Sequence, residues 1–294
     1  MLAEVAFAEY LVVLALWLTT IVLVALSCKH KSPQKIFRDS PPFALVLFST
    51  VLLDVTYNVM IIPWITYSIN LTSADKTQVR LMYILEVVMI SSRNLYDLAT
   101  LGLFLQRIII LIDPTRPRDV ISIAILLSVT VVEIVITLKL FVSYVPIALL
   151  DESPIAEGCF CYFCFSQNQH SKFYAVTIRF ALLALILAVG SVFLIMYNRR
   201  RMVQEVTVEA KFYALLRCFF YLRILLEVTP FAVEFAFVKT LNISLSNYLG
   251  ALTGIGNAID ALLCTFLYYR IVKPKKKVGI VVVSQWIIQP HSVM

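Results

Sequence analysis

The side chains of this chain best able to do chemistry are ionisable groups set inside long apolar runs. Arg93, Arg107, Lys139, Arg179, Arg217 and Arg223 share such runs with Asp54, Glu86, Asp97, Glu133, Glu227, Glu234 and Asp260. A charge at the centre of a membrane-spanning helix costs roughly 2.5–3.5 kcal/mol on insertion scales, so these groups must face one another and not lipid. Their near balance, six cations against seven acids, says the same. At 100° per residue, Glu86, Arg93 and Asp97 fall within about 40° of one another, with Thr100 beside them and Arg107 continuing the stripe. Arg93 and Asp97 stand four residues apart, as do Arg223 and Glu227, the spacing of a pair on one helix. The chemistry such a set supports is recognition. Glu86, Arg93, Arg179 and Glu234 are the candidate ligand-binding groups, and the competing reading makes these charges internal ion pairs that fix helix register. Lys139 sits near the end of its run, where its stem can snorkel to the interface.

Catalytic patterns are missing. His30, His170 and His291 fall outside the apolar runs, and no run carries a His-x-x-x-His pair, a Gly-flanked serine with His and Asp, or a phosphate loop. No enzyme activity, cofactor or metal is expected. Cys159, Cys161 and Cys164 cluster in one loop; a bridge between Cys159 and Cys164 would close a small ring and leave one thiol over. The net charge of +7 does not indicate nucleic-acid binding, because the basic residues lie in short clusters between apolar runs.

Apolar residues make up 61% of the 294 and charged residues only 15%, far from an ordinary soluble composition. The expected solvent is therefore the lipid bilayer. Crossing it takes about 20 apolar residues, and seven stretches qualify: 5–27, 43–67, 81–112, 120–144, 173–197, 212–238 and 248–269. The expected fold is an all-α seven-transmembrane bundle over 1–277, followed by a tail over 278–294 whose apolar run is too short to span. The first stretch has no Lys or Arg before it and four after it, as expected of a retained helix and not of a cleaved signal. With the N-terminus outside, Lys29, Lys31, Lys35, Arg38, Arg116, Arg118, Arg199, Arg200, Arg201, Lys211, Arg270, Lys273, Lys275, Lys276 and Lys277 fall inside, against Lys76, Arg80, Lys172 and Lys239 outside. That asymmetry predicts an extracellular N-terminus and a cytoplasmic C-terminus. Both glycosylation sequons, at Asn70 and Asn242, fall in loops then assigned to the outside. Pro63 and Pro230 lie within the second and sixth spans, where proline kinks a helix.

Gln106-Arg107-Ile108 at the inner end of the third span resembles the Asp-Arg-Tyr motif of G-protein-coupled receptors, with Pro114 seven residues after Arg107. Asp54 precedes Pro63 by nine, similar to the aspartate and proline of rhodopsin-like members. The chain departs from that pattern in several places. Gln106 replaces the acid, no cysteine lies between Cys28 and Cys159, and the seventh span has no proline. In compactness, and in the layout of Ser91 through Arg118, the sequence resembles the nematode serpentine chemoreceptors, class BC among them. The resemblance implies a multi-pass protein of the plasma membrane, in a sensory cilium, that binds an extracellular small molecule and signals to a heterotrimeric G protein. It implies that Arg107 faces the G protein, along with Arg116, Arg118, Arg199, Arg200 and Arg201 on the inner face. It also implies that Asp54 joins Asp97, Asn257 and Asp260 in the polar centre of the bundle. The alternative reading is a transporter or ligand-gated channel whose intramembrane charges line a pathway.

Overall fold

The computed structural model describes residues 3–69, 76–150, 172–201, 208–241 and 252–273. Among them all regular structure is helical: α1 (Ala3–His30), α2 (Pro33–Asp39), α3 (Pro41–Ser68), α4 (Lys76–Ile112), α5 (Arg118–Leu150), α6 (Lys172–Arg201), α7 (Val208–Arg223), a π turn (Ile224–Val228), α8 (Thr229–Leu241) and α9 (Leu252–Val272). Six of these, α1, α3, α4, α5, α6 and α9, are each long and apolar enough to cross a bilayer. This is the make-up of a multi-pass membrane protein.

The stretch expected as the sixth span is divided. Its backbone stays helical throughout, with Arg223 at φ −60°, ψ −44° and Thr229 at φ −63°, ψ −50°, but a π turn separates the two halves. Pro230 supplies the cause. In an unbroken α-helix its ring would strike the carbonyl of Leu226, four residues back, and it has no N–H to offer that oxygen. Widening the turn removes the collision. Both the backbone N–H and the hydroxyl of Thr229 donate to Ile224 O instead, the hydroxyl at 2.8 Å. Helices α1, α3 and α6 run a few residues beyond both expected ends, α4 begins five residues early and stops where expected, and α5 continues through Pro146 to Leu150.

Burial is arranged for lipid outside and packed protein within. On α1, Ala6, Tyr10, Val13, Trp17 and Thr20 form a buried stripe at helical spacing, while Leu11, Val12, Leu18 and Val22 are exposed. On α5 the exposed set includes Val120, Ile123, Leu127, Val131, Val135, Leu138 and Val142. So large an apolar surface would aggregate in water and is at home in hydrocarbon. Helix α4 is the central pillar, packed on α3, α5 and α6; 67% of its spanning stretch is buried, against 17% for α5. Its polar stripe thus lies at the heart of the protein.

The loop after α1 holds a short helix the hydropathy pattern did not announce. Ser32 accepts a hydrogen bond from the Lys35 N–H, and Pro33 takes the first helical position. Lys31 bonds Asp39 at 2.8 Å across α2 and holds its carboxyl below the usual carboxylate range. This contact is formed at neutral pH and is lost only as the pH falls through that lowered value.

Candidate functional site

Where α4, the π turn and α9 meet, the buried charges form one network centred on Arg223. Its Nη1 donates to Asp97 Oδ1 of α4 at 2.6 Å and also to Glu227 of the π turn. Nη2 donates to Thr100 Oγ1 at 3.1 Å, and Nε lies 3.1 Å from Asp260 Oδ2 of α9. The guanidinium plane rests over the Tyr96 ring, 4.0 Å from its centroid, and the Tyr96 hydroxyl donates to Asp260 at 3.1 Å. Cys264 Sγ lies 3.6 Å from the other Asp260 oxygen. A second arginine extends the network: Arg93 Nη2 donates to Glu227 Oε1 at 2.7 Å and to Asn257 Oδ1 at 2.9 Å. The side chains of Arg223, Asp97, Glu227 and Asp260 are each no more than 2% exposed.

Two guanidinium groups thus meet three carboxylates, and every ionic contact but Arg223–Glu227, which lies within one continuous helical rod, ties separate parts of the bundle together. That corrects the expectation that Arg93 pairs with Asp97 along α4. Both project inward, and the cation-before-anion order is the weaker one for a pair on a single helix. Arg93 therefore reaches the π turn and α9, while Asp97 receives Arg223. The expected pairing of Arg223 with Glu227 is present.

Asp97, Asn257 and Asp260 are in this network. Asp54 is not. It is buried on α3 and accepts from Asn58 Nδ2 at 2.7 Å, one turn along its own helix. Glu86 is buried on the α4 stripe two turns before Arg93. Arg179 lies on the inward stripe of α6 with Leu182, Leu183 and Ile186, its guanidinium 5.0 Å from the centroid of the Phe231 ring of α8. Glu133 accepts from Thr137 at 2.7 Å on the inward side of α5. Lys139 is exposed, 5.6 Å from the Tyr174 ring. The side chains of Glu234, Arg200 and Arg201, and Asn70, Asn242, Cys159 and Cys164 altogether, lie outside the described residues.

A second cluster lies at the opposite end of α4. Arg107 is only 9% exposed. Its Nη2 donates to Ser40 Oγ at 3.5 Å, and its guanidinium sits 4.4 Å from the centroid of the Phe212 ring of α7. Ser40 in turn donates to Gln106 Oε1 at 3.3 Å, and Gln106 Nε2 donates to Ser122 Oγ at 2.6 Å. Arg107, expected to face a partner, is covered in this structure by an aromatic ring and a serine. Arg116, Arg118 and Arg199 are exposed at this same end, with Arg116 3.2 Å from Asp113. Hydropathy could not announce Phe212, Tyr96 or Cys264 as members of these clusters, because each reads there as one more apolar residue.

Comparison of the chain with protein-family models, with curated proteins and with solved structures gives no match.

Proposed function

We propose that this protein is a seven-span chemosensory receptor of the plasma membrane, its N-terminus outside. It binds an extracellular small molecule and signals to a heterotrimeric G protein. The seventh crossing is the segmented rod of α7, π turn and α8. The observation that carries the reading is the charge network itself, which joins α4 and α9 to the one break in that rod. A helix pinned at a π turn has two discrete ways to pack, unbroken or bulged, and a ligand that favours one shifts the population. Arg107 lies under Phe212 at the far end of the same rod, so movement of α7 would uncover it among exposed Arg116, Arg118 and Arg199.

The test is signalling in cells that report G-protein activation. Phe212→Ala removes the aromatic cover, a contact of about 0.5–2 kcal/mol, and basal signalling should rise severalfold. Arg107→Ala should abolish agonist and basal responses at unchanged surface expression. If Phe212→Ala leaves the basal level unchanged and Arg107→Ala signals normally, the coupling role leaves this end of the bundle. Ligand-evoked current without any G protein would make the protein a channel.

A further inference from the structure

Every guanidinium nitrogen of Arg223 is engaged within the network, but those of the arginines nearer the N-terminal end of α4 are not all engaged. Among the described residues, Arg93 Nε and Arg179 Nε and Nη2 are buried N–H groups with no hydrogen-bond partner. Both guanidinium groups belong to inward stripes, Arg93 on α4 and Arg179 on α6. Arg179 lies over Phe231, one helical turn beyond Glu227 on the same rod. Arg93 at least holds Glu227. Among the described residues, Arg179 has an aromatic face and no ion pair.

Buried polar groups are overwhelmingly satisfied, and an unmatched donor on a cation is the costliest kind to leave. Two inward-facing guanidinium groups, set against Glu227 and Phe231 of one rod and holding three unsatisfied nitrogens, offer a site for an anion, which would accept those bonds. We propose that the ligand of this bundle is a small monocarboxylate whose anionic head bonds Arg179, with Arg93 as the second donor, and whose apolar body lies against Phe231. This rests on the receptor reading for its biological meaning, but not for its chemistry. The rival role for Arg179 is that of a distant countercharge for the third carboxylate of the network. That role needs no directed hydrogen bond and gives no preference among small molecules.

The test uses the full chain in lipid nanodiscs, with thermal stability measured against sodium salts of straight-chain and aromatic monocarboxylates. Alcohols and amines with the same carbon skeletons are run beside them, so that simple partitioning into lipid is seen equally in all three classes. A dose-dependent rise in Tm is expected with carboxylates alone. Arg179→Gln should weaken the apparent affinity about 30-fold or more, the order seen when one member of a buried charge pair is truncated. Arg179→Lys keeps the charge without the planar fork and should retain part of the binding; it carries the test if Arg179→Gln fails to fold. Three results would overturn the proposal: no carboxylate raising Tm, alcohols or amines doing so equally, or Arg179→Gln and Arg179→Lys both binding like the parent. Signalling evoked by neutral or basic compounds and indifferent to Arg179 would sink the anion site while leaving the receptor reading. Carboxylate binding that never activates a G protein would do the reverse.

Discussion

Arg223→Met should cost the protein about 3–5 kcal/mol of stability, the penalty for removing one member of a buried ion network, and should leave little of it at the cell surface. The size of the effect follows from what stays behind. Among the described residues, Asp97 and Asp260 have their ionic contacts with Arg223 alone, while Glu227 keeps Arg93 as a second partner. Losing the guanidinium therefore strands two carboxylates, each no more than 2% exposed. Second-site changes should separate the partners. Adding Asp260→Asn removes one stranded charge and should recover part of the loss. Adding Glu227→Gln should recover none, because it strips Arg93 of its carboxylate. Non-additivity of this kind is the mark of groups in direct contact. Asp54→Asn is the control: Asp54 accepts from Asn58 on its own helix and holds no other element, so its change should be far smaller. Thermal unfolding of the purified protein, with surface labelling alongside, reads all four. A parent-like Tm for Arg223→Met would mean that the network does not hold the bundle together.

How much of this was legible beforehand depends on the kind of force involved. Hydropathy reads burial against hydrocarbon, so six spans and the inward polar stripe of α4 could be drawn from sequence within a few residues. The same reasoning marked Arg93, Asp97, Arg223, Glu227 and Asp260 as internal, since cost forbids the alternative, while Lys139 of the same set is exposed. It could not say which cation meets which acid. Arg93 with Asp97 looked right because they share a helix, and cross-helix partners have no spacing rule to reveal them. Arg107 shows a different limit. A motif resemblance carried the expectation that it faces a G protein, and could not reveal that packing lays Phe212 over it, a residue no charge pattern selects. For Ser32 and Pro33, by contrast, the signal for the short helix was present as a cap followed by proline, though nothing in the hydropathy drew the eye there. Pro230 announced a bend. The π turn that absorbs it depends on where the freed carbonyl can go, and that is decided by the neighbouring helix.

That neighbouring helix is α9, and the contact gives the second large expected effect. Glycine in a helix interior ordinarily weakens the helix. Gly256 does the opposite, since a β-carbon built there would lie 2.4 Å from the carbonyl oxygen of Leu226. This is the oxygen that Pro230 deprives of its partner, and only a bare Cα lets α9 come close enough to cover it. Backbone cannot turn aside as a side chain can, so Gly256→Ala must push the π turn away from α9. A loss of about 1–3 kcal/mol is expected, as for other forced overpacking. Because Glu227 is the next residue, its bonds to Arg93 and Arg223 should be strained in the same step. On the proposed mechanism basal signalling should then change together with Tm. At Gly254 the obstacle is the Tyr57 hydroxyl at 3.0 Å, the free end of a ring that can shift, so Gly254→Ala should be several times milder. A partial rescue gives the sharper test. Pro230→Ala restores an N–H that can draw the Leu226 carbonyl back into an ordinary α-helical bond, away from α9. In that background Gly256→Ala should lose much of its effect on Tm. If the two changes simply add, the proline, the widened turn and the glycine are separate features, and the rod has no second packing for a ligand to select.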